Sequence, residues 1–357
     1  MTPRENLLSC LRRQGYERVP YAVTLSPEMA VRFAEATGEN DPDEATGMPI
    51  RLLYDGPSPR MSRSWVTGER TGERADAWTD GWGIVRRITV NPSLQFLTNV
   101  AHPLEHAASA ADVEGYAWPE VDRSGDADAR TGVEAIHDRG LAAAAVEHSV
   151  IWEAAWYLRG LEGLMVDMGL GDPKAHALFA NITRVAKERV ARLASFGIDI
   201  LMLTDDIGLQ HSLMMGIELW RKWIQPRLAE VIAAAREAAP GELIVYYHSC
   251  GAVEPAVPGL IEAGVDVLNP VSPQIFDFPE LHAAFGDRLS FWGGVDSDTL
   301  LAMATPDEIR AAVAWALDVA GPAGGLVPAP THVVDVDVPM ENLLAFLDAC
   351  RSYTPDA

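Results

Sequence analysis

The chain has 357 residues, about half of them apolar, and a formal charge of −23. That length suits one large α/β barrel or two ordinary domains. The charge sets long-range repulsion against nucleic acid and anionic membranes as partners, but leaves a small anionic substrate open, because a local arginine or metal overrides the global field.

No run of the sequence is long and apolar enough to span a bilayer, and no charged-then-apolar leader opens it, so a soluble cytoplasmic protein is expected. Cys10, Cys250 and Cys350 are too few for a disulfide framework, which fits a reducing compartment and leaves each thiol available for other chemistry. Arg4 to Gln14 reads as an amphipathic helix with Leu7, Leu8 and Leu11 on one face, and Arg18 to Val23 as a first strand. From about residue 42 to 103 the pattern breaks into Gly/Pro punctuation and hairpin-like runs, including Asp80-Gly-Trp-Gly83 and Ile84 to Val90. This stretch is expected to leave the regular architecture and cover a site, with Asp80 to Val90 lying over the rim.

After Gly140 short apolar runs alternate with helical patterns: Leu141 to Glu147, Ile198 to Leu203, Leu243 to Tyr247, Val265 to Leu268, Leu289 to Trp292 and Gly325 to Ala329. Repeated βα units imply parallel strands with helical crossovers. A doubly wound open sheet is the rival, but no glycine-rich phosphate loop follows the first strand. A single-domain (β/α)8 barrel over residues 1–357 is therefore expected, with an N-terminal helical and hairpin excursion over the rim.

Polar clusters follow these runs and would converge on the C-terminal rim of such a barrel: Thr204-Asp-Asp206, His248-Ser-Cys250, Asn269-Pro270, Gly293-Gly-Val-Asp296 and Thr331-His332. The alternation of a strand sends His248 and Cys250 to one face, half of a zinc site. Asp205 and Asp206 face opposite ways, so one reaches the site as a catalytic carboxylate while the other caps the following helix. Asn269, Trp292, Gly294 and Asp296 are candidates for binding a substrate, with Gly294 letting the backbone turn beneath it. Glu147 and His148 end another run, as a substrate contact, a fourth ligand, a base or a simple cap.

Taken together, His248-Ser-Cys-Gly-Ala-Val253, Leu260 to Pro270, Phe291-Trp-Gly-Gly-Val-Asp296, Ala329-Pro-Thr-His332 and Val338-Pro-Met-Glu-Asn342 resemble the uroporphyrinogen decarboxylase superfamily. Asp80-Gly-Trp-Gly83, His102-Pro-Leu104, the Trp118-Pro119 turn and Thr204 to Gly208 fit the same pattern. Within the superfamily the chain is more similar to the zinc-dependent corrinoid and thiol methyltransferases. The decarboxylases carry an N-terminal arginine motif that grips substrate carboxylates; the corresponding Arg18-Val-Pro-Tyr-Ala-Val-Thr-Leu-Ser26 lacks those arginines. The methyltransferase branch adds to H-x-C a third ligand, usually cysteine, in A-P-x-C, where this chain has His332.

The resemblance implies Zn2+ held by His248, Cys250 and His332, and methyl transfer between a small thiol or methyl ether and a corrinoid carried by a partner protein. It also extends to this chain the homodimers common in the family. The alternative is a metal-independent decarboxylase or lyase centred on Asp205 or Asp206. His332 has a plainer reading as a rim histidine that hydrogen-bonds substrate.

Overall fold

A computed structural model describes residues 1–39, 41–53, 77–91 and 94–354. Its strands are β1 (Ile50–Leu52), β2 (Ala77–Thr79), β3 (Val85–Asn91), β4 (Leu94–Ala101), β5 (Ala142–His148), β6 (Ile200–Thr204), β7 (Ile244–His248), β8 (Val267–Val271), β9 (Ser290–Val295) and β10 (Leu326–Pro330). Seven of them form one parallel sheet in the order β1-β5-β6-β7-β8-β9-β10, and β2-β3-β4 form a separate antiparallel sheet. Helices return the chain between consecutive strands from β5 to β10, giving the TIM-barrel-like α/β fold expected from the sequence.

The first expected strand, Arg18 to Val23, is extended but not a regular sheet member. Pro20 has no N–H to give to a ladder, and the segment joins the sheet where Ala22 donates to the Pro328 carbonyl at 3.1 Å and Leu25 bridges Val334. It runs beside β10, at the position of an eighth strand.

Strand register stacks the barrel interior in layers. Ala144, Ile200 and Ile244 share one level, and Val146, Met202, Tyr246 and Val267 the next. Above them lie His148, Thr204, His248 and Asn269, four polar residues side by side at the C-terminal end. Trp292 adds its ring to the second layer, edge-on to Tyr246 with centroids 5.4 Å apart. The opposite mouth is plugged by Leu7, Leu8 and Leu11 of the helix Pro3–Leu11, each such burial stabilising by about 1.5–3 kcal/mol. Asp199 ties that helix to the sheet, accepting from Arg4 Nη2 at 2.7 Å, Ala143 N at 2.9 Å and His137 Nε2 at 2.9 Å. The apolar floor and plug leave one end of the barrel for chemistry.

The antiparallel excursion lies over that end. Arg86 of β3 is braced by Asp80 at 2.6 Å and sits 4.9 Å above the ring of Tyr157, in the helix Trp152–Arg159 that follows β5. Trp82 is clamped beneath Arg189, 4.7 Å from its ring, and its carbonyl accepts from the Tyr116 hydroxyl. The middle of the expected cover, residues 54–76, lies outside the described residues. Among the described residues no helix is long and apolar enough to cross a membrane.

Candidate metal centre

Two loops leaving β6 and β7 cross at the rim, and their contact fixes the reactive side chains. Ser249, pointing away from the barrel axis, is fully buried; its hydroxyl accepts from Ile207 N at 2.9 Å. Cys250 N donates to Asp206 Oδ1 at 2.8 Å, and Ala252 N to the Leu209 carbonyl at 2.7 Å. The crossing needs two glycines. A Cβ on Gly208 would overlap the Cys250 carbonyl, and Gly251, at φ 87°, faces the backbone of Gly208 and Leu209.

At this crossing the donor atoms of Asp206, His248 and Cys250 all lie within 4.8 Å of one another. His248 Nε2 is 3.5 Å from Cys250 Sγ and 3.7 Å from Asp206 Oδ1. A tetrahedral zinc with arms of about 2.0–2.3 Å separates its donors by about 3.3–3.6 Å, so small adjustments suffice. One imidazole, one thiol and one carboxylate suit zinc and leave a fourth position open.

A second layer of contacts prepares His248 for such a role. Asn269 Nδ2 donates to the Trp292 carbonyl at 3.1 Å, which turns its Oδ1 toward His248 Nδ1 at 2.5 Å. An amide oxygen only accepts, so Nδ1 is the protonated nitrogen and Nε2 keeps its lone pair facing Cys250 and Asp206. Such outer partners hold a ligating imidazole in the correct tautomer. Asn269→Ala is therefore expected to weaken zinc binding about 10–100-fold with the fold intact, as measured by chelator competition.

The electrostatics around the crossing favour a cation. Burial, then the carboxylates of Asp206, Glu153 and Asp298, push the Cys250 thiol up to about 12, so it becomes a thiolate at neutral pH only with a positive partner. Burial also raises Glu153, against the hydrogen bond it accepts from the Tyr157 hydroxyl, and Asp206 raises it further. His148 lines the open mouth with Nδ1 3.2 Å from Thr204 Oγ1. Desolvation by the surrounding walls, then His248 and Arg86, push its ring down to about 4.

The remaining sequence candidates divide. Asp205 is buried and faces away from the triangle: it accepts from Ile151 N at 3.2 Å, Trp152 N at 2.8 Å and Glu153 N at 2.8 Å. It caps the helix after β5, not the one after its own strand. Burial raises it, Glu153 adds to that, and the three N–H donors oppose. Glu147 is on the outer face of β5, paired with Arg189 at 3.2 Å, because strand alternation gives the inward position to His148.

Asp296 caps the turn Ser297–Leu301, accepting from Thr299 N and Oγ1 at 2.8 Å each. A Cβ on Gly294 would face Ala316 on an outer helix, 3.4 Å away, so Gly294 turns from the mouth where a substrate contact was expected. Trp292 is floor. His332 stands at the same end of the barrel, its backbone held by Ser297, but its side chain is exposed and its ring nitrogens do not join the 4.8 Å cluster. Among the described residues Asp206 is the third potential donor of the cluster. His332→Ala is thus expected to change zinc affinity less than about threefold, well under the loss for a ligand, in the same competition assay.

Glu153, Tyr157 and Arg86 were not legible as site residues. Glu153 and Tyr157 lie one turn apart on a helix with the pattern of an ordinary amphipathic element, and Arg86 arrives from a different sheet. The only sequence signal was an acid and a tyrosine four residues apart just past a strand end.

The family model for uroporphyrinogen decarboxylase (URO-D) matches residues 111–353. A methyltransferase from Methanosarcina mazei has a similar structure, with a TM-score of 0.68 at 18% identity over 98% of each chain. A B12-independent methionine synthase from Shewanella sp. W3-18-1, solved with selenomethionine, has a TM-score of 0.48 at 12% identity, over 93% of this chain and 90% of its own. No curated protein matches. At these identities the solved structures speak for the fold alone, whereas the family model spans most of the chain and takes in β5 to β10 with the Asp206, His248 and Cys250 crossing: the chain is an enzyme of the uroporphyrinogen decarboxylase family.

Proposed function

We propose that this enzyme is a zinc-dependent methyltransferase, moving a methyl group between a small thiol or methyl ether and a corrinoid carrier on a partner protein. The observation that carries the reading is the convergence of Asp206, His248 and Cys250, with His248 held by Asn269 in the tautomer a ligand needs. Zinc held there would supply Lewis acidity, lowering the proton affinity of a thiol or drawing charge from an ether oxygen.

The chain's own groups divide the remaining work. Asp206 and Cys250 bring negative charge to balance the ion, His248 is kept from rotating, and the Tyr246 and Trp292 layer closes the barrel beneath the reacting atoms. Water is held off from below, and access is from the open mouth beside Arg86, Tyr157 and Glu153. The fold is shared with the Methanosarcina mazei methyltransferase over 98% of each chain.

A decarboxylase acting on a polycarboxylate fits these surroundings less well. The N-terminal arginine motif is missing, and among the described residues Glu153, Asp206 and Asp298 gather near Cys250, with Arg86 close to Glu153. The test is turnover. Zinc-loaded protein is expected to convert methylcobalamin with a panel of small thiols, or reduced cobalamin with aryl methyl ethers, and to lose that activity on chelation. Carbon dioxide release from a porphyrinogen by metal-stripped protein would establish the decarboxylase instead.

A further inference from the structure

We propose that the Tyr246 hydroxyl donates a hydrogen bond to the oxygen of a methyl ether substrate and so selects ethers over thiols, an inference that rests on the function proposed above. Tyr246 precedes His248 by two residues on β7, so both side chains point into the barrel, Tyr246 one layer lower. The side chain is only 8% exposed, yet its hydroxyl has no hydrogen-bond partner among the described residues. Tyr247, on the outer face of the same strand, instead donates to the Asp205 carbonyl at 3.1 Å. The Tyr246 hydroxyl is not among the sealed unpartnered polar atoms, and the far end of the barrel is plugged by Leu7, Leu8 and Leu11, so its access is from the mouth. Cys250 is close enough to act on the phenol electrostatically.

A mostly buried O–H without an acceptor is costly to keep. Phenylalanine would fill the same space and hold the same edge-on contact with Trp292, centroids 5.4 Å apart. The hydroxyl is therefore accounted for by an acceptor that arrives with the substrate. That acceptor is an oxygen, because sulfur accepts hydrogen bonds weakly. Charge points the same way: the carboxylates of Asp206 and Asp298 near Cys250 oppose a substrate thiolate. A methyl ether enters uncharged, and charge appears on its oxygen only as the methyl group leaves, where a positioned O–H donor is most effective.

The step balances as follows. An electron pair on the cobalt of a reduced corrinoid forms the new cobalt–carbon bond, and cobalt is formally oxidised by two electrons. The methyl–oxygen bond breaks with its pair remaining on oxygen. Tyr246 donates its hydrogen bond to that oxygen, which then takes a proton from water.

The test compares full-length, zinc-loaded wild type with Tyr246→Phe. Phenol and benzenethiol, which differ only in the acceptor atom, are the binding probes in calorimetry. Turnover is measured with anisole and reduced cobalamin, and with benzenethiol and methylcobalamin. Because the hydroxyl has no partner among the described residues, Tyr246→Phe is expected to keep the zinc stoichiometry and at least the wild-type thermal midpoint. It is expected to bind phenol about tenfold more weakly, benzenethiol within about twofold of wild type, and to demethylate anisole about 100-fold more slowly.

A variant that binds phenol as tightly as wild type, loses phenol and benzenethiol equally, or unfolds well below the wild-type midpoint would overturn the role of Tyr246. Wild-type protein that methylates benzenethiol but leaves anisole intact would overturn the selection of ethers and leave the methyltransferase reading standing. No methyl transfer with either substrate would overturn both.

Discussion

Cys250→Ala is expected to cost the protein both its zinc and its activity. The thiol is one of three donors gathered within 4.8 Å, and the remaining His248 and Asp206 pair holds an ion poorly. Loss of an outer partner typically weakens metal binding 10–100-fold, so loss of a donor itself should exceed about 100-fold. The fold should survive: Cys250 lies on a rim loop and is only partly buried. Zinc content after dialysis against a weak chelator, with methyl transfer assayed on the same sample, decides this. Full turnover by Cys250→Ala would mean that the chemistry needs no metal at this crossing.

Asp205→Ala is expected to have the largest effect on stability. The carboxylate accepts from three consecutive backbone N–H groups that open the helix Trp152–Arg159, and alanine would leave all three buried donors without it. Leaving a buried donor without its acceptor costs about 1–3 kcal/mol. The damage should spread to the site, because that helix carries Glu153 and Tyr157. Asp205→Asn keeps one acceptor oxygen and should recover part of the loss. Urea denaturation of the three proteins measures the difference, and a shift below about 1 kcal/mol for the alanine variant would remove the capping role.

Periodicity alone carried the barrel. Six of the expected runs became β5 to β10 within a few residues, because a strand between two apolar layers must be apolar itself and each was punctuated by polar residues at the rim. The same alternation put His248 and Cys250 on one face. It was less informative where side chains leave the sheet. Asp205 and Asp206 could be seen to diverge, but the helix that Asp205 caps lies far earlier in the chain, its N-cap residue Ile151 being 54 residues before Asp205.

Glu147 and His148 illustrate a different limit, since alternation without a known register names two faces but not which is inside. His332 shows how a motif position and a side-chain direction part company: its strand ends at the expected rim, while its backbone is bonded to Ser297 and the ring is exposed. Asp206 entered the triangle through the loop crossing at Gly208 and Gly251, a contact between segments more than forty residues apart that no local pattern encodes. The covering groups were hidden for the same reason, with Arg86 reaching Tyr157 from a sheet that is not part of the barrel.

X-ray absorption at the zinc edge on purified, zinc-loaded protein tests the central claim most directly. A centre made of Asp206, His248 and Cys250 should show one zinc per chain with a single sulfur neighbour at about 2.3 Å and nitrogen or oxygen neighbours at about 2.0–2.2 Å. The sulfur signal should vanish in Cys250→Ala and persist unchanged in His332→Ala. A zinc shell without sulfur, or no bound zinc at all, would contradict it.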